Sequence, residues 1–355
     1  MDFELSRTDL HQTRFLSGAT PSPQDGQALL RVESFGLTAN NITYAVFGEA
    51  MRYWDFFPAS DPNWGKLNVW GYAHVEQSRH PELAEGMRVY GYLPCASHLL
   101  VVPDRINEKG FVDAAPHRAA LPSAYQGYRD VRTDPVYSAD REAEHILFFP
   151  LFFTSFLIDD FVSDEGFFGA DTIVISSASS KTAIIAAYLL AKRPGIQVVG
   201  LTSAGNRGFV EGLEIYDSVV SYDDISSLPG DRAVYIDISG DGAVRTAVHS
   251  QYGDRLAHSS AVGMTHWTQM AHDSGELAGP KPVFFFAPDR IKKRGADWGT
   301  AKLDEQVADA WVPFADWASK WLRAERISSQ AEIQRAYLEL LEGKVDPTAG
   351  TIVVL

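Results

Sequence analysis

The chain has 355 residues, enough for two domains with substantial hydrophobic cores. Hydrophobic residues make up 45% and charged residues 22%, and the net charge of −15 argues against nucleic acid or an anionic membrane as a main partner, since both need a basic face. A single cysteine, Cys95, can form neither an internal disulfide nor a thiolate zinc cluster.

The first 30 residues give an early strand and a Pro/Ser/Asp turn. Residues 28–35 roughly alternate apolar and polar, as a half-buried strand does. A segment rich in Asn, Tyr and Trp follows, its elements short. Residues 69–76, 87–93 and 97–102 form strands, with a turn over 79–86. Short strands at this spacing suggest a small β-barrel or a strongly bent sheet. Residues 103–140 are polar and irregular, broken by Pro116, Pro122 and Pro135. Residues 141–160 carry the run HILFFPLFFTSFLIDD, a buried helix. No apolar run reaches about 18 residues, so no membrane span is expected. The polar N-terminal stretch has no signal-peptide core, and a cytoplasmic location is the default.

Residues 169–224 organise the rest. TIVIS (172–176) is a buried strand, and a small-residue turn leads to a helix over 181–192 that stops at Arg193-Pro194-Gly195. QVVGLT (197–202) is a second strand, a short helix ends near Leu213, and 218–222 is a third strand. This βαβαβ order is half of a dinucleotide-binding sheet. Strands at 233–238, 255–262 and 282–287, with a helix over 242–252, complete a doubly wound sheet of six strands. Residues 291–299 form a basic, mobile loop. A helical pattern with Trp311, Trp317 and Trp321 covers 303–325 and is kinked or divided by Pro313. A helix over 329–341 and a strand over 351–355 close the chain. The domain borders expected are 1–145 plus 288–355, and 146–287.

A helix N-terminus offers unpaired N–H groups and partial positive charge to a pyrophosphate, and small side chains let it approach. The turn at Ser177-Ala178-Ser179-Ser180 has small residues but not the G-x-G-x-x-G glycines, so an ordinary capped helix is the competing reading. The second strand ends in Thr202 and Ser203, then Arg207, with no acid before Glu211. If a dinucleotide binds, this favours a 2′-phosphate, hence NADP over NAD. Arg207 is either a phosphate partner or a solvated surface residue. Asp237 sits at the ligand edge of the sheet, or holds a turn by accepting backbone N–H groups.

Residues 26–37 (GQALLRVESFGL), 85–93 (EGMRVYGYL) with 97–105 (SHLLVVPDR), 166–224, and Gly343-Lys344-Val345-Asp346 before TIVVL together resemble the medium-chain dehydrogenase/reductase superfamily, in its zinc-free quinone oxidoreductase and enoyl reductase branch. The run LTANNITYAVFG…YWDFF…WG…VWGYA…SRHPE…G.RVYGY.P is similar to the family of unknown function DUF2855. The resemblance implies an α/β protein with a GroES-like β-barrel catalytic domain and a Rossmann-type, doubly wound parallel sheet. It implies NADPH as cofactor, a small-molecule substrate, and a homodimer formed through the edge of the nucleotide sheet. Where zinc-dependent relatives carry a cysteine, this chain has Ala39-Asn40-Asn41, so the implied chemistry is zinc-free. Asn40, Asn41, Thr43 and Tyr44 fall where that branch puts polar site residues, and Tyr53 falls where its enoyl reductases have a tyrosine acid. Asn41, Tyr44 and Tyr53 are thus the implied catalytic set; the competing readings are a turn role for Asn41 and barrel-mouth packing for the tyrosines. Ser179, Ser180, Lys181 and Thr182 replace the family's glycine turn as phosphate contacts. Ser203, Arg207 and Tyr222 surround the implied 2′-phosphate, and Gly263 follows the fifth strand where backbone meets the nicotinamide carboxamide.

Two further features have bland and sharp readings. His74, His80 and His98 are surface or hydrogen-bonded histidines, or a metal site. The 289–298 loop is a solvated charged loop, or a lid over an anionic substrate such as an acyl-CoA. The three tryptophans are core or interface packing. The function implied is a zinc-independent NADPH-dependent reductase of an enone, quinone or enoyl thioester. The alternatives are a non-catalytic protein that binds a nucleotide or acyl ligand on the same fold, and a non-redox enzyme.

Overall fold

The computed structural model describes residues 1–262 and 277–355. The chain divides into two compact units, Met1–Phe149 with Ala315–Leu355, and Pro150–Phe314. Residues 288–314 therefore go with the second unit, whereas the sequence assigned them to the first.

The first unit opens with β1 (Asp2–Ser6), β2 (Thr13–Leu16) and β3 (Ala28–Leu37). Helix α1 (Ala39–Val46) follows, then β4 (Trp64–Lys66), β5 (Asn68–Ser78), β6 (Arg88–Pro94) and β7 (His98–Val101). β1 pairs antiparallel with both β2 and β4. β3 is the central strand of the larger sheet and pairs antiparallel with β5 and β7. Its register slips against β5 at Leu29/Leu30 and Val32/Ser34, bulges that bend the strand. The stretch expected to be irregular contains β8 (Pro103–Asn107), β9 (Gly110–Asp113) and β10 (Gly127–Asp130), which continue the sheet beyond β6. These strands are short and partly polar, and Pro103 stands at the first strand position, where a missing N–H is tolerated.

The next helix, α2 (Glu142–Asp164), is apolar on most faces, as in a core. Contrary to the expectation from run lengths, it is long and apolar enough to cross a membrane, with 67% of that window buried within the protein. A core helix passes the same test.

The second unit carries a parallel sheet in strand order 3-2-1-4-5-6 among the described residues. The strands are β11 (Thr172–Ser176), β12 (Gln197–Thr202), β13 (Ser218–Ser221), β14 (Ala233–Asp237), β15 (Leu256–Ala261) and β16 (Val283–Phe284). Helices α3 (Lys181–Leu190), α4 (Arg207–Gly212) and α5 (Gly242–Tyr252) connect them. β11 pairs with β12 on one side and β14 on the other, which makes the ends of β11 and β14 the switch point of the sheet. Val174, Val199, Leu201, Ala233 and Tyr235 form its buried layer against Val244, Val248 and Tyr252 of α5.

The basic segment expected as a loop is helix α6 (Ala287–Asp297). Arg290 and Arg294, one turn apart, are buried against Asp160 and Asp164, one turn apart on α2. Arg294 reaches Asp160 at 2.8 Å and Asp164 at 2.9 Å. Two of the charges that resembled a solvated loop, Arg290 and Arg294, are the helix's packing face, while Lys292 and Lys293 are exposed. Hydrogen bonds from Arg294 and then Arg290 hold the Asp164 carboxyl far below its usual range. A carboxylate depressed in the fold adds stability above its unfolded value, about 3.9, and loses it as pH falls through the folded value. Urea midpoints are therefore expected to drop below roughly pH 4, and Asp164→Asn to flatten that acid limb; equal acid limbs would refute the linkage.

Helix α7 (Thr300–Ala318) contains Pro313. Beyond it β17 (Arg323–Ile327) takes residues expected to be helical, then α8 (Gln330–Leu341) and β18 (Ala349–Val354) follow. β18 lies between β17 and β3, so the C-terminus completes the first unit's large sheet. Trp311 is core in the second unit, packed on Phe152 at 5.1 Å. In the first unit Trp317 and Trp321 pack on each other at 5.7 Å.

Candidate functional site

At the switch point β11 ends in Ser176, and Ser177 turns the chain with φ +55°, a left-handed conformation that glycine adopts at less cost. A serine holds it because the turn is pinned on every side. The Ser177 N–H donates to the Tyr222 hydroxyl at 2.9 Å. Ala178 N–H donates to Leu201 O, and the Tyr216 hydroxyl donates to Ala178 O at 3.0 Å. Ser180 caps α3, its hydroxyl accepting from Ala183 N–H at 3.3 Å. Lys181 and Thr182 form the first turn of α3, and the Thr182 carbonyl accepts from the Ser155 hydroxyl.

The second turn is tied to the first. Asn206 donates its amide to the Ser179 hydroxyl at 3.0 Å. Ser203 and Arg207 in that turn are exposed, and Arg207 pairs with Glu211 one helical turn on, at 2.8 Å. Ser179, Ser180, Lys181, Thr182, Ser203, Arg207 and Tyr222 thus lie on the two turns and strand end at one edge of the sheet. Asn206 was missed although it lies between Ser203 and Arg207, because an asparagine among small residues signals a turn and not a tether. Gly263 lies outside the described residues.

Under this edge Asp237 is buried and saturated. One oxygen accepts from the Ser176 and Ser239 hydroxyls and Gly240 N–H, at 2.9–3.0 Å. The other accepts from Arg245 Nε at 2.8 Å. Its turn-holding reading fits these contacts, and its charge is balanced inside the fold.

The first unit holds an aromatic nest. Tyr44, Phe56, Phe57, Tyr92 and Leu121 are its buried members; Tyr53, Trp70, Leu99 and Tyr125 pack against them half-buried. The Tyr44 hydroxyl accepts from Asn40 Nδ2 at 2.7 Å and Trp70 Nε1 at 2.9 Å. Burial raises its pKa well above the tyrosine range. The Tyr53 hydroxyl lies 3.3 Å from that of Tyr125, and burial raises its pKa too. Asn41, in the first turn of α1, is buried. Its oxygen accepts from Thr38 N–H at 2.6 Å, capping the helix, and its amide donates to Asn68 O at 2.8 Å. Asn68 in turn donates to Tyr53 O at 2.8 Å. Asn41 therefore supports the Tyr53 turn through Asn68. Tyr125 was missed because it lies 72 residues from Tyr53 in a segment with no periodic pattern.

The histidines go to separate partners: His74 to Glu33, His98 to Glu76, and His80 accepting from Glu82 N–H. Among the described residues no group of three metal-binding side chains is assembled. Cys95 is buried, which pushes its thiol pKa up.

A family model described as "Protein of unknown function (DUF2855)" matches residues 35–346. No curated protein matches the sequence. Among solved structures, CurA from Vibrio vulnificus in complex with NADPH shares 14% identity and a TM-score of 0.56, over 96% of this chain and 94% of that one. The yhdH oxidoreductase from Salmonella enterica in complex with NADP shares 16% and 0.54, over 97% and 95%. YHDH of E. coli K-12 with bound NADPH shares 15% and 0.54, over 100% and 99%. At such identity the likeness is one of fold, and the second unit's 3-2-1-4-5-6 parallel sheet is of the Rossmann type.

Proposed function

The chain belongs to the DUF2855 family, and on the fold it adopts we propose that it is a zinc-independent, NADPH-dependent reductase of an activated double bond or carbonyl. The observation that carries this reading is the pair of tied turns at the switch point, Ser177–Ser180 joined to Ser203–Arg207 through Asn206. The residues there fit the cofactor. A helix N-terminus faces the turn with small side chains around it, and an exposed arginine stands on the second turn with no acid before Glu211. NADP or NADPH in three structures of the same fold supports the same assignment. Ser179, Ser180, Lys181 and Thr182 hold the pyrophosphate, and Ser203, Arg207 and Tyr222 the 2′-phosphate end.

NADPH, when bound, supplies the hydride for the β-carbon of an enone, quinone or enoyl thioester. The chain's own part is the proton. Tyr53 is the acid, because it is half-buried, protonated at neutral pH and, among the described residues, its hydroxyl pairs only with another hydroxyl. Tyr44 stiffens the wall behind it, and Asn41 fixes the Tyr53 backbone through Asn68. Ala39-Asn40-Asn41 at the ligand position of zinc-dependent relatives, and a buried Cys95, support chemistry without zinc.

Titration of NADPH and NADH by tryptophan fluorescence tests the cofactor. Arg207→Ala is expected to weaken NADPH by roughly 10- to 100-fold, the worth of charge-assisted hydrogen bonds to phosphate, and to leave NADH unchanged. Equal loss for both, or no binding by wild type up to about 1 mM, would sink the reading. One observation favours the alternative of a non-catalytic binder: Ser177 N–H, Ser180 N–H and the Ser180 hydroxyl already have internal partners. NADPH binding without turnover of any enone, quinone or enoyl thioester would decide for it.

A further inference from the structure

We propose that Tyr125 is a positioning residue for Tyr53, holding its hydroxyl and donating to the phenolate that remains once the proton has left. The inference rests on the reading of Tyr53 as the proton donor.

The two hydroxyls meet at 3.3 Å, and their rings stand at 88° with centroids 5.8 Å apart. One bracket holds both segments. Arg118, fully buried and paired with Asp113 at 3.0 Å, donates from Nε to Phe56 O at 3.1 Å, just past Tyr53. Gln126, next to Tyr125, donates to Arg118 O at 2.8 Å and Leu121 O at 2.9 Å. A side chain braced at its own backbone keeps its rotamer when the partner ionises, so the donor is in place before the charge forms.

The surroundings explain why such a donor is needed. Tyr44 from α1 packs on Tyr53 at 4.7 Å, and Tyr92 from β6 packs on Tyr125 at 4.8 Å. On Tyr53's own turn Arg52 and Asp55 pair with each other at 2.8 Å. A phenolate in this nest loses water and gains mainly other phenols. Burial raises both hydroxyls, and at 3.3 Å either one can donate to the other, so Tyr125 can donate once Tyr53 has given up its proton. In the step itself the electron pair of the enolate takes the Tyr53 proton. The O–H electrons stay on Tyr53 Oη, Tyr125 Oη–H points at that oxygen, and a solvent proton restores Tyr53.

The test places 3,5-difluorotyrosine, a more acidic phenol, at position 53 of the full chain, and follows its phenolate absorbance against pH with Tyr125 present or changed to Phe. Tyr125→Phe is expected to move the titration up by ~0.5–1 pH unit, the worth of one hydrogen bond. In the natural-residue background, kcat at neutral pH is expected to fall about three- to tenfold with NADPH affinity unchanged. An unshifted titration in a protein whose unaltered form is active overturns the role of Tyr125 alone. No NADPH-dependent reduction by the unaltered chain overturns the proton-donor reading, and the positioning role with it, whatever the titration shows.

Discussion

Tyr53→Phe is expected to lower kcat for reduction of an enone or quinone by about 10²- to 10⁴-fold, the range a positioned general acid contributes. The expectation is specific because the substitution removes little else. Among the described residues the hydroxyl has one partner, Tyr125, while the ring keeps its contacts with Tyr44 at 4.7 Å and Phe56 at 6.4 Å. Folding stability should therefore change by less than about 1 kcal/mol, and NADPH binding should not change at all. Steady-state kinetics with a fluorescence titration on the same preparation separate these quantities. A variant with wild-type kcat would remove Tyr53 from the chemistry. Tyr44→Phe serves as the comparison. Its hydroxyl accepts from Asn40 and Trp70, so its loss should lower stability before it lowers kcat.

Asp237→Ala is expected to destabilise the protein by about 3–5 kcal/mol, the cost of removing one partner from a buried ion pair, out of the roughly 5–15 kcal/mol typical of a domain. The carboxylate serves two hydroxyls, a backbone N–H and Arg245, whose side chain is 14% exposed. Removing it strips acceptors from the ends of β11 and β14 together. The urea midpoint should fall with little change in slope. Asp237→Asn keeps an acceptor and loses the charge, so it should cost less. A loss below about 1 kcal/mol for the alanine variant would show that these contacts are optional. Because Ser176 begins the turn that Ser177 continues, NADPH affinity should weaken in the same variant.

The second unit was legible where burial wrote a pattern. β11 and β12 are unbroken apolar runs between turn residues, and the sequence delimits both at the observed residues. Where charge is buried, the sign of the signal reverses. Arg290 and Arg294 suggest solvent, yet they are the inner face of α6, because their partners Asp160 and Asp164 sit 130 residues away. Helix α1 was invisible for another reason. ANNITYAV is a poor helix former, and its start depends on the Thr38–Asn41 bond. β17 alternates charge with half-buried residues on a sheet edge, which resembles the end of the preceding helix. In the candidate site the turns could be found from order and residue type, since both are local. The Tyr53–Tyr125 pair could not, since it exists only once β6, α1 and the 116–126 turns are packed together.

Both borders between the two units fall inside helices. Phe149 and Pro150 are neighbours within α2, and Phe314 and Ala315 within α7. Each helix therefore belongs to both units, and a cut at either border leaves a ragged end with up to four unmatched backbone groups. The nucleotide-type half of this protein is consequently not a cassette. It cannot be lifted out or grafted at its own edges, and gene recombination that joined two such proteins there would have to splice a helix in mid-turn. Exchange between relatives should survive instead at exposed loops such as residues 17–22, within a unit and away from its borders.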